Sequence, residues 1–191
     1  METIAPWAEP VLVMADELLR LPEDGWRYEL VEGRLVRMTL AGLRHGEIAL
    51  LLGGAILDFV RKHNLGRVVG AEAGFRLSPP GAPDTVLAPD VAFVRAGRLE
   101  PASPEWETFP RLAPDLVVEI ASPSQGHAVM QAKAERWLEA GVRLVWTIFP
   151  DARTVEVRRS GGPVSTVGPG EELEGEDVLP GFIYPVAELF R

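Results

Sequence analysis

The chain has no cysteine among its 191 residues, which excludes disulfides, thiol nucleophiles and thiolate metal centres. Any metal would have to be held by oxygen or imidazole, a donor set that favours hard ions such as magnesium or manganese. No apolar run approaches the roughly 20 residues needed to span a bilayer. The opening "METIAPWAEP" lacks the basic and then apolar order of a signal peptide, so a cytoplasmic protein is the expectation. Lysine occurs only at Lys62 and Lys133, asparagine only at Asn64, and glutamine only at Gln125 and Gln131. So few thermolabile amides fit a heat-tolerant protein, although a GC-rich genome leaves much the same bias.

An apolar fraction of 47% is enough for one substantial core, and no linker divides the chain, so a single domain over residues 1–191 is expected. The net charge of -9 argues against non-specific nucleic-acid binding if it is evenly spread, and it is not. Acids crowd residues 1–32 and the stretch "EELEGED", whereas Arg34, Arg37, Arg44, Arg61, Lys62, Arg67 and Arg76 outnumber the acids of residues 33–76. A basic face in that region is therefore an expectation.

"ADELLRLP" reads as a short helix stopped by Pro22, and "YELVEGRLVRM" as two strands turning at Glu32-Gly33. In "LRHGEIALLLGGAILDFVRKHNLG", Ile48, Leu51, Leu52, Ala55, Ile56 and Phe59 recur at helical spacing, with Asn64-Leu65-Gly66 as the stop. Short strands are expected at "RVVG", "GFRLS", "DVAFV" and "DLVVEIA", with "PPGAPDTVLAP" as a proline-rich loop. A helix "HAVMQAKAERWLEAG" leads to strands "RLVWTIF" and "TVEVRR". The tail "VLPGFIYPVAELF" is expected to pack aromatics on the edge of the body and to support a homodimer. The fold class this order predicts is α/β: a mixed central sheet flanked by helices, with an extra N-terminal hairpin and C-terminal strands.

Strand alternation puts Leu116, Val118 and Ile120 on one face and Val117, Glu119 and Ala121 on the other. A carboxylate in such apolar company is costly unless it is solvated, paired or bound to a metal. Asp90 opens the preceding strand after Pro89, so if the two strands are neighbours both acids reach one sheet end, a donor pair suited to magnesium. On the following helix the apolar arc holds Val129, Met130, Ala134, Trp137 and Leu138, and Lys133 falls inside it. Each residue also has a plainer role: Glu119 at a solvated rim, Asp90 in a turn, Lys133 snorkelling along Trp137. Ser122 and Ser124 read as helix-entry caps, Asp115 as a loop residue, and His45 and His63 as caps or solvated groups at the ends of the long helix.

"YELVEGRLV", His45, "PDVAFV", "PDLVVEIASPS", Lys133 and "AGVRLVWTI" resemble, in order and spacing, the Uma-two endonuclease-like family, a branch of the PD-(D/E)XK restriction-endonuclease-like superfamily. The resemblance runs over roughly residues 15 to 190. It implies a restriction-endonuclease-like sheet, Asp90 and Glu119 as metal ligands, Lys133 in place of the superfamily lysine that Ala121 replaces, and Glu29 as a further catalytic acid. The chain departs from the family pattern at Gln125, where threonine is common, and at Val129, where an acid is common.

Together these observations predict a Mg2+ (or Mn2+)-dependent DNA endonuclease in which Asp90, Glu119 and the Ile120 carbonyl hold the ion and Lys133 and Glu29 assist. Two alternatives stand beside it: a catalytically silent nuclease fold kept for binding or assembly, and a metal-dependent hydrolase of a smaller phosphate ester.

Overall fold

A computed structural model of the chain describes residues 12–22, 25–38, 40–98, 100 and 103–191. Its larger sheet is mixed and six-stranded. In chain order it takes β3 (Gly66–Gly70), β6 (Val91–Arg95), β7 (Leu116–Ile120), β8 (Leu144–Phe149), β9 (Thr154–Arg159) and β10 (Ser165–Val167), arranged β10-β9-β8-β7-β6-β3. β7 and β8 run parallel, joined by the helix α3 (His127–Glu139), as a parallel pair requires a crossover. The other neighbours are antiparallel.

A smaller sheet, ordered β2-β1-β5-β4, comprises β1 (Arg27–Val31), β2 (Arg34–Met38), β4 (Phe75–Arg76) and β5 (Val86–Leu87). The β1–β2 hairpin turns where the sequence predicts. Glu32 and Gly33 both have positive φ, 52° and 75°, which a two-residue type I′ turn demands. β5 is an unexpected element, lying inside the segment read as a proline-rich loop. Two residues carry too little periodicity to be seen, and what fixes them is tertiary pairing of Val86 with Leu30. A short helix α1 (Ala15–Leu18) docks on this sheet through Ala15, which packs in a small cluster with Leu30 and Val86.

The larger sheet buries both faces. On one lies α2 (Leu43–His63), whose Ile48, Leu52, Ile56 and Val60 pack on Leu116, Val118 and Ile120. Each of these fully buried aliphatic side chains contributes about 1.5–3 kcal/mol, so one charged substitution such as Ile56→Asp would undo the docking. The helix stops at Asn64, which takes the left-handed conformation at φ 53°. The tail joins the same core, where Phe182 stacks on Trp146 and Phe190 is buried. It also forms a hairpin of β11 (Glu172–Glu174) and β12 (Ile183–Pro185). The expected edge packing is thus replaced by core packing. Alternation hides Leu173 among acids, although it is fully buried. Ile183 of the same tail stays exposed.

On the opposite face α3 places Ala134 and Trp137 against Val117 and Val145. The two helices therefore read the alternation of β7 from opposite sides, and Glu119 emerges beneath α3, between the larger and the smaller sheet. Among the described residues no helix is long and apolar enough to cross a membrane.

Candidate functional site

β6 and β7 are antiparallel neighbours, so Asp90, at the mouth of β6, comes level with the end of β7; its N–H donates to Val118 O at 3.1 Å. The Asp90 carboxylate accepts from the Ile120 N–H at 2.7 Å through Oδ2, and Oδ1 lies 2.9 Å from His45 Nε2. The contact made by Ile120 is therefore through its N–H. His45 comes from the first turn of α2, and its Nδ1 is buried with no hydrogen-bond partner among the described residues. The sequence reading of His45 as a cap or solvated group gives way to a contact with a candidate site residue. His63, at the other end of the helix, lies tilted against Phe59 instead.

Glu119 is almost completely buried. Its Oε1 accepts from Trp137 Nε1 at 2.8 Å, and its Oε2 lies 3.0 Å from Lys133 Nζ. Lys133, only 8% exposed, does not snorkel to water along Trp137. It turns inward, meeting Glu29 Oε1 at 2.9 Å as well. Glu29 also accepts the Ala88 N–H at 2.9 Å, which ties it to the segment just after β5. On β1 both Glu29 and Leu30 are buried, so the strand is covered on both sides and alternation could not single Glu29 out. Trp137, one turn beyond Lys133, has a second function that was legible only as helix-face proximity: it holds the carboxylate that Lys133 pairs with.

Three carboxylates therefore share one ammonium and one imidazole. Burial pushes Glu119 up to about 8; Lys133 opposes the shift, while Asp90 and Glu29 add to it. Lys133 moves the other way: burial alone would lower its pKa, but Glu119 and Glu29 outweigh it and raise it above the usual lysine range. A lysine so held stays charged. Among the described residues no three His, Asp or Glu side chains converge as a ready-made metal-ligand set. An ion at this site would have to take one or two of these carboxylates and keep several waters.

These residues line a cleft of about 700 Å³ between the two sheets. Its rim carries Arg27 and Arg37 from the hairpin and Ser122, Ser124 and Gln125 from the loop before α3. Ser122 and Ser124 are not helix caps: Gly126 caps α3, and the Ser122 hydroxyl donates to Gln125 Oε1 at 3.0 Å. Val129 is exposed at the same rim. Asp115 serves its loop, accepting from the Arg95 N–H and pairing with Arg98. Part of the expected basic face is engaged within the chain. Arg76 pairs with buried Asp84, Arg27 with Glu72 and Arg44 with Asp151, and Arg37 and Arg67 lie over Trp26 and Trp106.

A mixed sheet with acids from adjacent strands gathered at one end and helices on both faces defines a nuclease-fold protein. Residues 15–187 match the Uma2 family, described as "Putative restriction endonuclease", and the chain belongs to that family. It is also similar in structure to a protein from Anabaena variabilis ATCC 29413, described as "a putative nuclease belonging to DUF820". The TM-score is 0.79 at 23% identity, over 95% of this chain and 98% of that one, a likeness of fold. No curated protein is significantly similar to the chain.

Proposed function

We propose that the cleft is the active site of a divalent-metal-dependent phosphodiesterase acting on DNA. The observation that carries this reading is the convergence of Asp90, Glu119, Lys133 and Glu29, from four separate elements, on one cleft. Asp90 and Glu119 would hold magnesium or manganese. When bound, such an ion supplies Lewis-acid charge to the phosphodiester and to the water that attacks it. The chain's own residues do the rest. Asp90 is kept in place by the Ile120 N–H and His45. Lys133, held in its charged form, offsets negative charge growing on the phosphate and is ill suited to remove a proton. Glu29 fixes the position of that ammonium from the opposite sheet. Family membership supports a nuclease reading.

The test is cleavage of circular and linear DNA by purified wild type, Asp90→Ala and Glu119→Ala, each with manganese, magnesium or EDTA. Metal-dependent turnover should fall by at least about 100-fold in either variant, the usual scale for removing a principal electrostatic stabiliser. Unchanged turnover in both would remove the assignment. An affinity that weakens steeply with salt would mark a polyanionic substrate over a smaller phosphate ester.

A second reading, a silent nuclease fold kept for binding, draws on one specific observation: each oxygen of Asp90 and Glu119 already has a partner within the protein. Such a scaffold has no need to take up magnesium or manganese, so calorimetric titration with either ion separates the two readings.

A further inference from the structure

Helix α2 turns a second apolar row away from the core. Leu43, Leu50 and Leu57 follow one another at intervals of seven, which on a straight helix drift by only about 20° per step. They are 96%, 77% and 38% exposed, and Leu51 beside them is 43% exposed. Gly54 lies on the same line between Leu50 and Leu57, with nothing within 4 Å of the place a Cβ would take. An exposed leucine here and there needs no explanation, but an aligned row along a 21-residue helix forms a contiguous patch of the kind that marks an interface.

We propose that this row is the surface through which two copies of the chain associate, α2 against α2, antiparallel, about a two-fold axis at Gly54. Charge selects both the occupant and the direction. Glu47 and Arg61 lie on the same outward line, each seven residues from Gly54, and neither has an ion-pair partner among the described residues. Antiparallel pairing about Gly54 brings Glu47 of each copy opposite Arg61 of the other, twice, and sets Leu51 level with Leu57 and Leu50 one residue off it. Parallel pairing would bring Glu47 to Glu47 and Arg61 to Arg61. A two-fold contact must be complementary to itself, and this row is. Gly54, without a side chain, lets the two backbones approach at the axis. An anionic membrane suits the face poorly, because Glu47 and Asp58 border the leucines on a chain of net charge -9. His45, on the same helix, lines the cleft, so the pairing sets two clefts on one assembly.

The experiment is sedimentation equilibrium of the full chain at micromolar concentrations, for wild type, Leu50→Glu, Glu47→Arg, Arg61→Glu and the double reversal Glu47→Arg/Arg61→Glu. Thermal melts followed by circular dichroism would show that each variant folds, as expected for positions exposed to solvent. Wild type should sediment as twice the chain mass of 20.8 kDa. Leu50→Glu should weaken association at least about 30-fold, the scale of an interface hot spot. Each single reversal should weaken it, and the double reversal should restore it. A monomeric wild type overturns the proposal. So does a dimer indifferent to Leu50→Glu, which would use another face, or a double reversal no better than the single ones.

Discussion

Lys133 of α3 and Glu29 of β1 lie 2.9 Å apart, and the same ammonium lies 3.0 Å from Glu119 of β7, so one side chain pins the smaller sheet to the larger. All three groups are buried. Breaking a buried pair from one side leaves uncompensated charge, which costs about 3–5 kcal/mol. Lys133→Met, which keeps the bulk of the stem, should lower the free energy of unfolding by that amount at neutral pH in urea titrations. Adding Glu29→Gln to it should recover part of the loss. A loss below about 1 kcal/mol would show that water reaches the two glutamates more freely than their burial implies.

Metal uptake at this site should release protons. Burial pushes the Glu119 carboxyl up to about 8, with Lys133 opposing and Asp90 and Glu29 adding to the shift. A carboxylate must ionise to accept a cation. Affinity for manganese should therefore rise with pH from 6 to 9, and the calorimetric heat at pH 7 should vary with the ionisation enthalpy of the buffer. Glu119→Gln should abolish that buffer dependence. Equal heats in all buffers for the wild type would argue against ionisation on binding.

Asp84 should shape the acid limb of stability. Burial pushes its carboxyl up, but the Ala15 N–H, Arg76 and Ser78 outweigh burial and hold it below the usual aspartate range. A carboxyl depressed in the folded state contributes stability that is complete above the unfolded value of about 3.9 and is lost as pH falls through the lower folded value. Asp84→Asn should melt lower than wild type at pH 7, and the gap should narrow as pH falls below about 4. A gap that stays constant down to pH 2 would contradict the assignment.

Gly66 starts β3 directly behind the stop of α2, at φ 154°, and a Cβ there would stand 2.1 Å from Val94 O. The obstacle is backbone of the neighbouring strand β6 and cannot swing aside. Gly66→Ala should cost at least about 2 kcal/mol, measured by urea denaturation, because strain in the sheet adds to the close contact. A neutral substitution would mean that the junction has room to shift.

The parts of this molecule that were legible in the sequence are those in which one periodicity serves one burial. Alternation in "DLVVEIA" put Glu119 on the face opposite Leu116, Val118 and Ile120, helical spacing turned Lys133 inward, and Glu32-Gly33 marked its turn. Where burial is two-sided or the element is too short for a period, the signal vanishes. Glu29 sits on a strand covered on both faces and was marked only by family resemblance, and β5 owes its existence to Leu30 on another strand. His45 beside Asp90 was invisible for a related reason: nothing local to α2 says that its first turn ends over the mouth of β6. The surplus of arginine in residues 33–76 is divided: Arg44 and Arg76 are ion-paired and Arg37 and Arg67 lie over indole rings, while Arg61 keeps no ion-pair partner among the described residues.

The Glu29–Lys133–Glu119 cluster binds the two sheets together whether or not any substrate is turned over. Natural selection for a folded chain would therefore preserve these three residues in a descendant that had given up its chemistry. Among relatives, retention of the trio reports a shared architecture; it is Asp90, partly open to the cleft and outside that clamp, whose loss or retention would record whether a lineage still depends on the reaction.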